Sequence, residues 1–258
     1  EYTARQCYLK ALQFDPKNAL AWHNLGTTLV SPGETVPVEG TEYTARQCYL
    51  KALHFDPNCS RAWAALLRFT MSFDAIRRAP PQFYDSTKHI YQPIVPGSYS
   101  AIHVGGVEYG PQQCLAQILR LDPSGVSNWF TLGSLLLPDA RINVGGREWS
   151  AKECHLEALR LNPSSAFAWN NLGHGLAENE TAFFDGRLWN RKECYAEALR
   201  HDNLVVLSWN NLVNSMREDE TVAISGREWS RESCRLEGQR VAHQQRVLLV
   251  RPTLLRLG

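Results

Sequence analysis

The stretch Arg147–Pro163 reads REWSAKECHLEALRLNP, and forty residues later the chain returns to RLWNRKECYAEALRHDN. In the first copy the aromatic residue Trp149 is followed five positions later by Cys154. The same pair recurs as Tyr2 and Cys7, Tyr43 and Cys48, Tyr109 and Cys114, Trp189 and Cys194, and Trp229 and Cys234. A pair repeated this often is either a chemical site, such as a metal ligand or a redox thiol, or part of the framework of the fold.

The pair belongs to a repeat that runs through the chain. Cys114, Cys154, Cys194 and Cys234 are 40 residues apart, as are Trp129, Trp169 and Trp209, whereas Cys7 and Cys48 are 41 apart. A fixed period of this size indicates an architecture built from one recurring supersecondary unit. The chain opens on EYTARQC, which matches the middle of a later unit, so we expect the true N-terminus to lie upstream.

Two parts of each unit precede the quoted pair. The first is a helix, called helix A, that follows a D-P or N-P dipeptide. We expect Asp15, Asp56, Asp122 and Asn162 to cap it, with the next proline at the first helical position. The second is a run of alternating side chains around an x-Gly pair, which predicts a β-hairpin because such turns need positive φ. The turn pairs are Glu39-Gly40, Gly145-Gly146, Asp185-Gly186 and Ser225-Gly226.

The third part, helix B, explains the aromatic–cysteine pair. Ser150 and Glu153 have the spacing of a capping box, which starts a helix by satisfying free backbone N–H groups. The box recurs as Thr3 and Gln6, Thr44 and Gln47, and Asn190 and Glu193. It places Trp149 and Cys154 at the two positions that pack together as a hydrophobic staple. No second cysteine or regularly placed histidine accompanies each thiol, so we expect free cysteines that act as small hydrophobes, and neither a metal site nor a cofactor.

The unit resembles a tetratricopeptide repeat (TPR), a helix pair of 34 residues. The W-x2-L-G motif of that family stands in helix A from Trp22, Trp129 and Trp169, and its helix B pattern is matched by Ala4, Tyr8, Ala11 and Pro16. Six additional residues fall between the helices, where the hairpin is predicted. The resemblance therefore implies a mainly α fold, an α-solenoid of TPR-like helix pairs with a short β-hairpin inserted in each unit.

The repeat array is predicted to span residues 1–242. Its parts are a helix B remnant at 1–14 and units at about 15–56, 57–122, 123–162, 163–202 and 203–242. A long irregular insertion is expected at about 70–103, and 243–258 reads as a degenerate C-terminal cap or tail. Two strands occupy roughly 9–10 Å, about the distance between packed helices, so we expect neighbouring hairpins to pair into one ribbon.

Composition argues against several classes of function. The 27 basic and 26 acidic residues leave a net charge of +1, which gives no bulk attraction for nucleic acid or acidic lipid. The sequence has no apolar run of 18 residues, so no membrane span is predicted. Seven cysteines without a CxxC motif suit a reducing compartment, and we expect an intracellular, cytoplasmic protein. Because convergent catalytic residues and phosphate-binding glycine motifs are missing, we expect neither enzymatic activity nor a small-molecule substrate.

The resemblance implies a scaffold that binds a protein or peptide on the concave face of the solenoid. In TPR proteins helix A lines this face, which points to the residues one and five positions after each tryptophan. These are His23, Thr27, Ala64, Arg68, Phe130, Ser134, Asn170, His174, Asn210 and Asn214. Polar residues are ordinary on exposed helices, so some of them are equally read as solvated positions.

Two alternative functions stay open. Arg147, Arg187 and Arg227 follow the hairpin glycines in one column and would form an anion-binding ladder for RNA phosphates. Glu148 and Glu228 lie beside two of them, which favours a solvated strand face instead. The other alternative is a spacer whose repeats only set a length.

Overall fold

The computed structural model describes residues 2–31, 33–70 and 101–254, with side chains as far as residue 245. The insertion predicted at about 70–103 therefore lies almost entirely outside the described residues. The helices are α1 (Ala4–Phe14), α2 (Ala19–Thr27), α3 (Ala45–Phe55), α4 (Ser60–Thr70), α5 (Pro111–Leu121), α6 (Val126–Leu135), α7 (Ala151–Leu161), α8 (Ala166–Gly175), α9 (Arg191–His201), α10 (Val206–Ser215) and α11 (Arg231–Leu254). The strands are β1 (Thr35–Val38), β2 (Thr41–Thr44), β3 (Ile102–Val104), β4 (Val107–Tyr109), β5 (Arg141–Val144), β6 (Arg147–Ser150), β7 (Thr181–Phe184), β8 (Arg187–Asn190), β9 (Thr221–Ile224) and β10 (Arg227–Ser230).

Small antiparallel strand pairs alternate with helices along the described residues. The even-numbered helices α2 to α10 are helices A, and the odd-numbered helices α1 to α11 are helices B. The last helix B, α11, continues to Leu254, so the boundary predicted at 242 to 243 falls inside a helix.

Contacts divide the chain into two compact parts, each of which contains several repeats. We call these two parts the first unit and the second unit. The first contains α1 to α5 with β1 to β4, and the second contains α6 to α11 with β7 to β10; the residues of β5 and β6 are divided between them. Within each unit every helix packs on the next one along the chain. In the second unit the helices A also contact one another directly, α6 with α8 and α8 with α10.

Helix B begins where the capping boxes predict it. The Ser150 hydroxyl accepts a hydrogen bond from Glu153 N at 3.3 Å, and Glu153 Oε2 accepts one from Ser150 N at 2.9 Å. The same reciprocal pair forms at Thr3, Thr44 and Asn190. At α5 the N-cap is Gly110, so only one half of the box exists, the bond from Gly110 N to Gln113 Oε1 at 3.1 Å.

The predicted start of helix A is wrong by about three residues. Asp15, Asp56, Asp122 and Asn162 are the C-caps of the preceding helices B. The Asp15 carboxylate accepts a hydrogen bond from Lys17 N at 3.0 Å, which closes a turn around the proline. Helix α2 begins after Asn18, whose side chain accepts from Ala21 N at 2.9 Å. An Asp-Pro pair suits both a helix cap and a turn, and here the turn between the helices uses it.

The tryptophan of helix A joins this turn to the hairpin. Its indole N–H donates to a carbonyl of the turn, from Trp22 to Pro16 at 2.8 Å, Trp63 to Pro57 at 2.9 Å, Trp169 to Pro163 at 2.8 Å and Trp209 to Asn203 at 2.8 Å. Its ring contacts the aromatic residue of the second hairpin strand. The centroid distances are 4.9 Å for Trp22–Tyr43, 4.8 Å for Trp63–Tyr109, 4.3 Å for Trp129–Trp149, 4.4 Å for Trp169–Trp189 and 4.9 Å for Trp209–Trp229. One buried side chain thus holds three parts of the unit together.

The cysteines of the helices B after α1 belong to the core, whereas Cys7 of α1 is exposed. Cys48, Cys114, Cys154, Cys194 and Cys234 are fully buried. Burial raises the pKa of the first four thiols to about 12 and that of Cys234 to about 11, so they are neutral at pH 7. Tyr43 and Cys48 share one hydrophobic cluster, and Trp229 and Cys234 share another, as a staple requires. The aromatic–cysteine pair is therefore part of the framework.

The hairpin turns have the predicted backbone, because Glu39, Asp185 and Ser225 have φ values of 49°, 49° and 50° and the next glycines are also positive. The predicted ribbon is wrong, since each described hairpin is a separate two-stranded sheet. Strand β9 packs on the preceding helix B, α9, and Arg200 of that helix donates to the Ala223 carbonyl at 2.9 Å. The helix therefore occupies the strand edge that a neighbouring hairpin would need.

The glycine of the W-x2-L-G motif lets helices A and B approach closely. A Cβ at Gly173 of α8 would lie 3.0 Å from the Arg191 carbonyl oxygen and 3.0 Å from Cys194 Cβ, and both of these residues belong to helix α9. Since one of these atoms belongs to the backbone, it cannot move aside as a flexible side chain would.

We expect Gly173→Ala to lower the free energy of unfolding by about 1–3 kcal/mol, because the added methyl group overpacks the helix contact. Gly175 of the same helix has no atom within 4 Å of its Cβ position. Gly175→Ala is therefore expected to be neutral or stabilising by up to about 1 kcal/mol. Urea denaturation followed by circular dichroism compares the two, and equal effects would contradict the close approach.

Candidate functional site

The predicted binding positions all lie on helices A, but they differ in exposure. His23 and Asn170 are buried, Phe130 and Ser134 are half-buried, and Thr27, Ala64, Arg68, His174, Asn210 and Asn214 are exposed. The exposed and half-buried residues are accessible to a ligand, whereas the two buried residues have contacts inside the protein.

Asn170 is 1% exposed and bonds the helices A of the second unit to one another. Its Oδ1 accepts hydrogen bonds from the Ser208 hydroxyl and from Asn211 Nδ2 of α10, both at 3.1 Å. Its Nδ2 donates to Asn171 Oδ1 at 3.0 Å, and Asn171 Nδ2 donates to Ser134 Oγ of α6 at 2.8 Å. These five residues, the asparagine ladder, connect three helices. A packing role thus explains asparagine in the middle of a helix, where it is otherwise unfavourable.

An aromatic patch lies beside the ladder, formed by Phe130, Phe167, His155 and His174. Phe130 of α6 and Phe167 of α8 are half-buried, with ring centroids 6.3 Å apart. The Phe130 ring also lies 6.1 Å from the His155 ring. His174 is exposed and lies close enough to His155 to lower the pKa of the His155 imidazole. The patch therefore combines apolar rings with an accessible imidazole.

His155 is the buried member of this patch, with 4% of its surface exposed. Its Nδ1 has no hydrogen-bond partner among the described residues. Burial lowers the pKa of His155 to about 4, and the neighbouring His174 adds to the effect, so the imidazole is neutral at pH 7. It packs against Gly133 as Tyr195 packs against Gly173 one unit later.

The corresponding face of the first unit has a different character. His23 is 8% exposed and lies 5.5 Å from the Tyr49 ring. Burial lowers the pKa of His23, and the positive charge of Arg61 lowers it further. Arg61 and Arg68 are both exposed on α4. Helix A positions are therefore cationic here, while those of the second unit are aromatic and amide-bearing.

Ion pairs between helix B and the loop before the next hairpin were missed by the sequence analysis. Lys152 Nζ lies 2.5 Å from Glu180 Oε1, and Glu180 Oε2 also accepts from Ala177 N at 3.1 Å. Arg5 with Glu34 and Lys192 with Glu220 form the same pair in their units. The partners are 28 or 29 residues apart, a regular spacing that could have revealed them. Each of these pairs holds the loop that follows helix A on the helix B that precedes helix A.

Arginines of the proposed anion-binding column have contacts within the protein. Arg187 lies 3.6 Å from the centroid of the Trp189 ring and 3.3 Å from Glu193 Oε1. Arg227 lies 4.2 Å from the centroid of the Trp229 ring. Arg147 is exposed on β6. The nearby Glu193 carboxylate reduces what the Arg187 guanidinium group offers to phosphate.

Comparison with known families gives a match to a repeat family. Residues 7–35 are similar to the tetratricopeptide repeat, and this stretch runs from within α1 through α2 to the first residue of β1. A comparison with curated proteins gave no significant match. In the described ranges, no three His, Cys, Asp or Glu side chains are placed to hold a metal ion. The helices described here include none that is long and apolar enough to cross a membrane.

Tetratricopeptide repeats are in general protein–protein interaction modules, and proteins built from them are typically non-enzymatic scaffolds. The matched residues contain the W-x2-L-G motif at Trp22, and the same motif recurs in later helices A. The chain thus carries TPR-like repeats within a mainly helical fold.

The asparagine ladder gives a test with a matched control. Asn170→Ala removes the acceptor of two side-chain donors and is expected to lower the free energy of unfolding by about 1–3 kcal/mol. Asn210 has the same position one unit later and is exposed. Asn210→Ala is expected to change stability by less than about 0.5 kcal/mol. Chemical denaturation measures both, and a ladder without energetic value would give two equally small changes.

The buried imidazole makes stability depend on pH. The pKa of His155 is about 4 in the folded state against an ordinary value of 6.5, so the unfolded chain takes up a proton first as the pH falls. The contribution is therefore complete above about pH 6.5 and is lost progressively as the pH falls towards 4. His155→Tyr installs the residue found at this position in α3 and α9 and is expected to flatten that slope. Urea midpoints across this range measure it, and unchanged slopes would contradict the assignment.

Proposed function

We propose that the chain binds a protein or peptide partner on the surface lined by helices A, the concave face of the solenoid that the resemblance implies. The aromatic patch beside the asparagine ladder carries this proposal. The polar side-chain groups of Asn170 are hydrogen-bonded within the ladder, whereas Phe130, Phe167 and His174 remain accessible to a ligand. Apolar rings with a few well-placed polar groups are the usual composition of a peptide-binding surface.

The geometry suits an extended peptide that crosses α6, α8 and α10. An apolar side chain of the peptide would pack on Phe130 and Phe167, and its backbone would meet the polar side chains of His174 and Asn214. The ladder holds α6, α8 and α10 together, and the Lys–Glu pairs hold the loops on helices B, before any ligand arrives. Preorganisation of this kind reduces the entropy lost on binding.

The proposed role is that of a scaffold formed by an array over residues 1–242. The buried thiols suit a reducing intracellular compartment, where cysteine remains unpaired. Protein is favoured over nucleic acid as the ligand because Arg187 pairs with the Glu193 carboxylate and the chain has a net charge of only +1.

Peptides selected by display against the intact chain test the proposal. The double variant Phe130→Ala/His174→Ala is expected to weaken their binding about tenfold or more in fluorescence anisotropy, since it removes an aromatic anchor and a polar contact. Phe183→Ala is the control, because Phe183 is an exposed aromatic residue on β7, outside this surface. Peptides that bind the double variant normally, or that are lost with the control, would place the binding surface elsewhere.

A further inference from the structure

A cleft lies in the first unit, between helix α3 and the following hairpin, β3–β4. Its volume is about 380 Å³, within the range of small-ligand sites. It is lined by Tyr43, Gln47, Leu50, Lys51, His54, His103, Val104 and Gly105. The lining offers three basic nitrogen-bearing side chains and contains no carboxylate.

This charge pattern departs from that of helices α7 and α9. At the helix positions of Lys51 and His54, α7 has Glu157 with Arg160 and α9 has Glu197 with Arg200. Both of those pairs form ion pairs within the helix, so the positions are neutral together. In α3 the glutamate is replaced by a lysine and the arginine by a histidine, which removes the negative charge and leaves a positive one.

Lys51 is held over aromatic rings rather than by a carboxylate. Its Nζ lies 5.8 Å from the centroid of the Tyr43 ring and 6.0 Å from that of Phe55. Among the described residues no ion pair involves Lys51. Cation–π contacts orient an ammonium group without neutralising its charge. The ammonium group therefore retains its capacity to bind an anion.

The hairpin wall supplies His103 on β3. The equivalent exposed position holds Pro37, Asn143, Phe183 and Ala223 in the other hairpins. Glu108 of β4 is paired with His103 across the two strands, and its carboxylate competes with an anionic ligand for the His103 side chain. Arg46 of α3 donates to the Ala101 carbonyl at 3.1 Å, which ties the helix to the start of this hairpin. The two walls of the cleft are thus fixed to each other.

We propose that this cleft binds a carboxylate side chain of an acidic peptide segment. The Lys51 ammonium supplies the charge, and the imidazoles of His54 and His103 supply N–H donors. Leu50 and Val104 provide apolar contact for the methylene groups of an Asp or Glu side chain. The site lies between helix B and the hairpin, shares no residue with the helix A surface, and does not depend on the function proposed for it.

A peptide fits this chemistry better than a nucleic acid does. A polyanion needs several cations along its length, because its affinity rises with the number of neutralised phosphates. The same helix positions in α7 and α9 hold ion pairs, Glu157 with Arg160 and Glu197 with Arg200, so they do not repeat the cation of Lys51. A single cationic cleft instead selects one or two acidic side chains.

Fluorescence anisotropy with the intact chain tests the site. The probes are a labelled hexapeptide rich in Glu and Leu, the same peptide with Gln for Glu, and a labelled single-stranded oligonucleotide. We expect the acidic peptide to bind and the Gln peptide to bind at least about tenfold more weakly, the ratio for a charge-assisted contact of about 1.4 kcal/mol. Equal binding of the two peptides, or binding of the oligonucleotide alone, would overturn the proposal.

The variant Lys51→Glu/His54→Arg copies the pair that α9 carries naturally, and it is expected to reduce binding of the acidic peptide at least about tenfold. Lys10→Gln is the control, because Lys10 has the same position in α1 and lies outside the cleft. Glu108→Gln is expected to strengthen binding by about two- to fivefold by removing the competing charge. If the double variant does not fold, Lys51→Gln/His103→Asn replaces it. Undiminished binding in the folded variant would exclude this cleft.

Discussion

The indole of the helix A tryptophan is the contact on which the rest of each unit depends. Trp169, which is 2% exposed, donates a hydrogen bond to the turn that precedes its helix and packs its ring on Trp189 of the hairpin. Each of these two interactions is worth only about 0.5–1.5 kcal/mol. Their importance is geometric, because one rigid side chain fixes the helix, the turn and the hairpin relative to one another. The turn bond forms at Trp22, Trp63, Trp169 and Trp209, and all five helix A tryptophans form the ring contact.

The tryptophan and the motif glycine lie on the side of helix A that faces helix B. The rest of the helix A surface is available for other contacts. In the second unit the asparagine ladder joins neighbouring helices A, and the aromatic patch is left beside it. In the first unit the cleft between α3 and β3–β4 lies on a different surface and is lined by Lys51, His54 and His103 without a carboxylate. A repeat with a constant framework thus presents different chemistry at different positions along the chain.

Local features could be predicted from the sequence, whereas contacts between repeats could not. The capping box at Ser150 and the turn at Asp185 depend on a few adjacent residues, and both were predicted correctly. The cap of helix A was assigned wrongly at Asp15, because the same dipeptide serves a turn. The hairpin ribbon failed because spacing alone ignores the helix that packs on the strand edge. Asn170 was predicted to be a binding residue, yet it is buried. Its burial depends on residues of the next repeat, and the sequence pattern of one repeat carries no information on that contact.

Hydrogen exchange of the tryptophan indole protons, followed by NMR, tests the tryptophan contact most directly. The indole N–H groups of Trp22, Trp63, Trp169 and Trp209 are bonded to turn carbonyls and should exchange slowly, together with the backbone amides of their own helices. Indole protons that exchange at the rate of free tryptophan while those amides stay protected would show that the turn and helix A are held by something else.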